Sequence, residues 1–169
     1  MSADNQQERL KKIGWIVGFI DGEGCFSISI FRNKTLKLGW QIFPEFAVTQ
    51  GEKSLPSLKL LHDYFGCGKI FINRRHDNHK ENIYRYCVRS VIDLDKIIIP
   101  FFKGNPLRTS KAKDFELFVE AIDAIKAGKH LTFDGLKTIA GIATNMNRKK
   151  SSAFLESSET TCQKSTQVD

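Results

Sequence analysis

The hydrophobic and polar positions of the chain change period several times, and each change marks an element. From Asp4 or Asn5, either of which is suited to cap a helix, to about Gly22, apolar residues recur at helical spacing: Ile13, Ile16, Val17 and Ile20. Gly24 breaks this helix. Cys25 to Phe31 then alternates, with Phe26, Ile28 and Ile30 on one face and Ser27 and Ser29 on the other, the period of a half-buried strand. After the polar turn Arg32-Asn33-Lys34-Thr35, a second strand is expected from about Lys37 to Thr49. Ile42, Phe46 and Val48 face inward; Gln41, Phe43, Glu45 and Ala47 face outward; Pro44, which lacks an amide donor, predicts a bend or bulge.

Ser54 is placed to cap a short helix through Phe65, with Leu58, Leu61 and Phe65 on its apolar side. Strand three spans Lys69 to Arg75 and strand four Ile83 to Arg89, with Ile70, Ile72, Tyr84, Tyr86 and Val88 inward and Lys69, Phe71, Asn73, Arg85, Cys87 and Arg89 outward. A helix from Val91 to Phe102, a long helix from Thr109 or Ser110 to about Ala127, and a last helix capped by Thr132 and running to about Met146 complete the pattern. The order αββαββα with extra C-terminal helices predicts an α+β fold, a four-stranded antiparallel sheet with its helices on one face. Residues 1–150 read as a single domain. The stretch 151–169, rich in Ser, Thr and Gln, reads as a flexible tail.

One helix carries an anomaly. Gly14, Gly18 and Gly22 recur every fourth residue and form a bare stripe. Each costs about 1 kcal/mol of helix propensity relative to Ala, and close approach of a second backbone is the return on that cost. Asp21 and Glu23 follow at the helix C-terminus, where the dipole disfavours negative charge. A carboxylate held against the dipole points to a bound cation.

Composition narrows the partner. The chain of 169 residues has a net charge of +7 and a pI near 9.3, which favours a polyanion. The span Lys69 to Arg89 alone contributes a net charge of +4. Mixed donors and acceptors on a pleated face suit base edges in a major groove, and outward Phe31, Phe43 and Phe71 suit a contact surface. Cys25, Cys67, Cys87 and Cys162 are scattered, which fits neither a zinc site nor a secreted disulfide framework and suggests a reducing compartment. His62, His76, His79 and His130 form no metal-nuclease spacing. No apolar run suits a membrane span, and no targeting signal is visible.

The stretch Ile16 to Gly24, IVGFIDGEG, resembles the signature of the LAGLIDADG homing endonucleases. The resemblance continues through Phe46-Ala47-Val48-Thr49-Gln50 and Pro106-Leu107-Arg108-Thr109-Ser110-Lys111 through Phe118. His130 to Leu136 and Met146 to Lys150 resemble the C-terminal part of many fungal members. It implies a site-specific double-stranded DNA endonuclease that uses Mg²⁺, with Mn²⁺ or Ca²⁺ as other occupants, and no organic cofactor. Such enzymes cut long pseudo-palindromic sites, leave short 3′ overhangs and promote intron mobility, often from an organelle, mitochondrion or chloroplast.

By the same resemblance, Glu23 and the Gly22 carbonyl hold the metal, Gln50 orders the attacking water, and Lys111 assists electrostatically, with Arg108 and Lys113 as alternatives. Asp21 has a structural part, closing the helix end or bonding backbone amides. Ser27, Ser29, Phe31, Arg32, Asn33, Gln41, Glu45, Lys69, Asn73, Arg75 and Arg85 face DNA, and Asn147, Arg148 and Lys149 touch backbone phosphates. Many members carry the motif twice. Here it occurs once, which implies a homodimer through Gly14, Gly18 and Gly22. The alternative of another class is an RNA-splicing maturase, or a DNA-binding regulator of the same fold without chemistry.

Overall fold

The computed structural model describes residues 3–73, 82–146 and 154. Helix α1 (Ala3–Glu23) leads directly into β1 (Gly24–Arg32), followed by β2 (Trp40–Gly51), α2 (Leu55–Phe65), β3 (Lys69–Asn73) and β4 (Ile83–Val88). Then come α3 (Val91–Asp93), a π-helical segment (Leu94–Ile98), α4 (Ile99–Gly104), α5 (Lys111–Lys126) and α6 (Phe133–Asn145). The four strands form one sheet in the order β1-β2-β4-β3, so the α+β expectation holds.

Contacts gather into two compact units: residues 1–26 with 45–112, and residues 27–44 with 113–169. In the first unit Phe46 is the hub, its ring 5.1 Å from Phe26, 5.9 Å from Phe102 and 6.2 Å from Tyr86. Ile16 and Ile20 of α1, Leu58 and Leu61 of α2, and Leu94 and Ile98 are fully buried in the same unit. Inward positions of the strands fall in register, Phe46 opposite Val88 and Val48 opposite Tyr86, so apolar side chains stack across β2 and β4. Buried Tyr86 donates its hydroxyl to the Cys67 carbonyl at 3.0 Å. In the second unit Trp40, Leu136, Ala140 and Phe154 form a cluster, with the Trp40 and Phe154 rings edge to face at 5.1 Å.

Several boundaries differ from the sequence expectation. Asp4 and Asn5 lie inside α1 rather than capping it. Ser54 makes no side-chain cap; a 3₁₀ turn at Glu52–Ser54 leads into α2, whose Pro56 sits in the first turn. Strand β2 starts at Trp40, after Gly39 turns the chain at φ 71°. It runs unbroken through Pro44, which precedes the β2–β4 pairing that begins at Phe46, so the missing donor leaves that ladder intact. The Val91 helix continues to Gly104 and contains the π segment, and α5 begins at Lys111. Thr132 does cap α6, accepting from the Gly135 amide at 3.1 Å. Phe154, within the stretch 151–169, is buried against Trp40. The other residues of 151–169 lie outside the described residues.

Candidate active site and sheet face

The end of α1 is held by one carboxylate and offers another. Asp21 accepts the Arg108 amide at 3.0 Å, the Thr109 amide at 3.1 Å and the Thr109 hydroxyl at 2.7 Å. It thereby ties α1 to the entry of α5. Burial pushes the Asp21 carboxyl up, but the Thr109 hydroxyl, the Arg108 and Thr109 amides and the Lys111 charge outweigh it and hold the group below its ordinary value. Asp21 therefore does bond backbone amides.

Glu23 is different. It is exposed at the last position of α1, and its Oε2 accepts a 3.1 Å hydrogen bond from Nε2 of Gln50. Gln50 lies opposite Tyr84 at the end of the β2–β4 ladder, so the strand register carries its amide to the helix terminus. The third participant arrives from α5. The Thr109 hydroxyl, already on Asp21, also accepts the Lys111 amide at 3.2 Å, and the Lys111 ammonium donates to the carbonyl of Gly24. Glu23, Gln50 and Lys111, separated by up to 88 positions in sequence, thus meet around Gly22-Glu23-Gly24. Arg108 contributes its backbone amide here and exposes its side chain; Lys113 belongs to the second unit.

The site's donor set is oxygen only, which suits a hard divalent cation. Among the described residues no group of three or more His, Cys, Asp or Glu side chains gathers. One copy supplies one carboxylate, Glu23, and the Gly22 carbonyl among the last four of the helix, which have no intrahelical partner. This set fits a metal shared with further oxygens, and it does not fit a closed single-chain metal site.

The glycine stripe is bare. A Cβ built on Gly14, Gly18 or Gly22 would meet nothing within 4 Å. Beside it Trp15, 39% exposed, stacks on Phe19 at 5.0 Å, and Leu10 is 62% exposed. Gly24, by contrast, is packed: a Cβ there would meet Ile20 Cγ2 at 2.6 Å.

On the outward face of the first unit, Phe71, Arg85 and Thr49 align across β3, β4 and β2, as do Lys69, Cys87 and Ala47. Lys69 and Phe71 are exposed. Glu45, expected outward and facing DNA, lies on the outward strand face but is covered there. It is 6% exposed, because Arg85 and Arg89 close over it: Arg85 Nη2 bonds Oε1, and Arg89 Nε bonds Oε2 at 2.6 Å. Burial raises the Glu45 pKa, but the two guanidinium bonds outweigh this and hold it below the ordinary carboxylate value. Arg89, assigned no role from sequence, was detectable there only as an outward basic residue. The backbone of Asn73 ends β3; its side chain and Arg75 lie outside the described residues.

In the second unit Ser29, Phe31 and Arg32 are exposed and Ser27, Asn33 and Gln41 half-buried. Asn33 donates Nδ2 to Gln41 Oε1 at 2.7 Å while its Oδ1 accepts the Thr35 amide and hydroxyl. Arg32 lies over the Trp40 ring at 4.4 Å, and Phe31 meets Phe43 at 6.0 Å. Asn147, Arg148 and Lys149 lie outside the described residues.

The LAGLIDADG endonuclease family model matches residues 16–122, more than half of the chain. The chain belongs to the LAGLIDADG endonuclease family. The match begins within α1 and takes in the exposed Glu23 at its end. The probable intron-encoded endonuclease 3 of Neurospora crassa is 41% identical over 131 residues, 77% of this chain and 24% of that protein. The chain therefore spans about a quarter of this curated relative. Among solved structures, the homing endonuclease I-TnaI superposes with a TM-score of 0.76 at 36% identity, covering 88% of this chain and 96% of that one. I-SmaMI bound to uncleaved DNA target in the presence of calcium ions gives 0.75 at 33% identity, covering 84% and 47%. No helix among the described residues is long and apolar enough to cross a membrane.

Proposed function

We propose that this LAGLIDADG protein is a divalent-metal-dependent homing endonuclease that acts on double-stranded DNA as a homodimer. The observation that carries the reading is the meeting of Glu23, Gln50 and Lys111 at the end of the LAGLIDADG helix. Two copies joined along Gly14, Gly18 and Gly22 would bring two Glu23 carboxylates together. Oxygens of the DNA phosphates would complete the coordination that one chain leaves short. Mg²⁺ bound there would supply Lewis-acid polarisation of the phosphodiester.

The protein's own groups have separable parts. Glu23 holds negative charge at the dimer seam and repels its twin until a cation lies between them. Gln50 gives its amide hydrogen to Glu23, which leaves the amide oxygen to accept a hydrogen from an attacking water. Lys111, fixed through the Asp21–Thr109 contacts, sets a positive charge where charge develops on the phosphate. Lys69 and Arg85 of one unit, and Ser29, Arg32, Asn33 and Gln41 of the other, supply groove and phosphate contacts. The relatives' intron-encoded character supports an intron-borne enzyme; the organellar origin, the pseudo-palindromic site and the 3′ overhangs belong to the reading through family resemblance.

The test is Glu23→Gln. The variant is expected to bind target DNA within about threefold of the parent and to lose Mg²⁺-dependent cleavage of both strands. Cleavage at the parental rate would overturn the assignment.

A further inference from the structure

We propose that Glu45 is a positioning residue that aims Arg85 at a guanine in the DNA half-site, so that sequence discrimination at that base pair depends on a carboxylate that never touches DNA. This rests on the DNA endonuclease reading above.

The observations concern one cluster on the outward face of the first unit. Glu45 has a side chain only 8% exposed, whereas Arg85 and Arg89 are 41% and 43% exposed. The acid is thus beneath, and the two guanidinium groups are its cover. Arg85 is fixed at two points: Nη2 on Glu45 and Nη1 on the Thr49 hydroxyl at 3.3 Å. These contacts use one hydrogen on each Nη, and each carries two. Arg89 bonds Glu45 through Nε and lies 5.1 Å from the centroid of the Phe71 ring, the residue paired with Arg85 in the β3–β4 register.

A buried carboxylate is costly unless its charge is matched. A pair serving stability alone needs one arginine on this acid. Two arginines on one acid leave a net positive charge on the surface, carried by side chains whose rotamers are already chosen. Arginine otherwise loses substantial rotamer entropy when it docks. A guanidinium fixed before binding contributes more of its bidentate geometry to recognition, and the planar fork matches O6 and N7 of guanine. An unanchored arginine would instead pair with whichever phosphate came near, without sequence information. Strand β2 rises about 3.3 Å per residue, so Glu45 sits at most about 16 Å from Gln50. At about 3.4 Å per base pair, the guanine falls within about five base pairs of the cut phosphate.

The experiment selects the target of the full-length protein from a randomised duplex library, then measures binding to every single-base variant at fixed salt for the parent, Glu45→Gln, Thr49→Val and Arg85→Ala. The expected result is that Arg85→Ala and Glu45→Gln both lose about tenfold discrimination at the same guanine in each half-site. Glu45→Gln should keep affinity for non-specific DNA within about twofold, and combining the two substitutions should add nothing further. Thr49→Val should lose discrimination at that same pair to a smaller degree. It carries the test if Glu45→Gln fails to fold.

Three outcomes overturn the proposal: uniform weakening across all sequences, which marks Arg85 as a phosphate contact; lost discrimination in Arg85→Ala with full discrimination in both Glu45→Gln and Thr49→Val; or effects at different base pairs. A parent protein that binds DNA with no sequence preference would overturn the endonuclease reading itself.

Discussion

Asp21 provides a quantitative test because its hydrogen bonds join two elements 87 positions apart. Asp21→Asn keeps the size and one acceptor oxygen but removes the charge. In the parent the carboxylate accepts two backbone amides and one hydroxyl, from Arg108 and Thr109. Hydrogen bonds to charged groups contribute about 1.5–3 kcal/mol. Asp21 is partly exposed and solvent competes there, while Asn retains part of the set, so a loss of about 1–2 kcal/mol is expected near neutral pH. For a chain of this size that is roughly 2–8 °C in thermal midpoint.

The sign of the pH dependence follows from the lowered pKa. A carboxylate whose folded value lies below its ordinary 3.8 contributes stability that is fully present above that value. The contribution fades as pH falls through the folded one. The gap between parent and Asp21→Asn should be full at pH 7 and should shrink towards pH 3. Thermal melts at both pH values measure it. Thr109→Val should give a loss that is not additive with Asp21→Asn, since the two residues are partners in the same 2.7 Å hydroxyl bond. Equal melting of parent and variant at pH 7, or a gap unchanged at pH 3, would refute the assignment of the Asp21 carboxylate as the clamp between α1 and α5.

Three further predictions concern Lys111 and the glycines at and beyond the end of α1. Lys111→Met should lower the single-turnover cleavage rate by about 10²–10³-fold and leave DNA affinity within about threefold; a large affinity loss with an unchanged rate would make Lys111 a phosphate anchor. Gly18→Leu enters open space and removes a helix penalty of about 1 kcal/mol, so the folded chain should melt no lower while sedimentation shows loss of the proposed dimer. Gly24→Ala should do the reverse, because its Cβ would lie 2.7 Å from the Ile20 carbonyl oxygen: about 1–3 kcal/mol of stability lost with assembly retained in the folded fraction.

Much of the fold was legible because its periods are clean. The alternation in Phe26 to Ile30, and again in Phe46 to Val48, identifies the strands without reference to anything distant. The glycine stripe was legible for the same reason, since bareness at every fourth position is a local property. Glu45 was not. Alternation put it on the outward face, and that is where it lies, but alternation cannot say what covers a face. The cover comes from Arg85 and Arg89, forty or more positions away, and depends on the β2–β4 register. The π segment at Leu94–Ile98 and the burial of Phe154 against Trp40 were illegible likewise: one is a departure from the ladder within a helical pattern, the other a single aromatic residue in a polar stretch.

Glu23, Gln50 and Lys111 were singled out in the sequence and the fold brings them to one place, but the difference between the two acids was not legible there, and it follows from counting donors. Asp21 and Glu23 stand two residues apart at the same disfavoured end of one helix. A carboxylate has about four lone-pair sites. Asp21 spends its sites on the Arg108 amide and on both the amide and hydroxyl of Thr109, with the Thr109 amide reaching both carboxylate oxygens; the charge that the helix dipole opposes is matched within the protein. Glu23 meets the same dipole, is exposed, and has a hydrogen bond from Gln50 on Oε2. Its charge is the less compensated of the two, and a single neutral amide donor orients it without neutralising it. The clamp and the open acid are therefore not interchangeable. Exchanging their environments would require moving Thr109, and with it Lys111, whose ammonium reaches the Gly24 carbonyl only because α5 begins where Asp21 holds it.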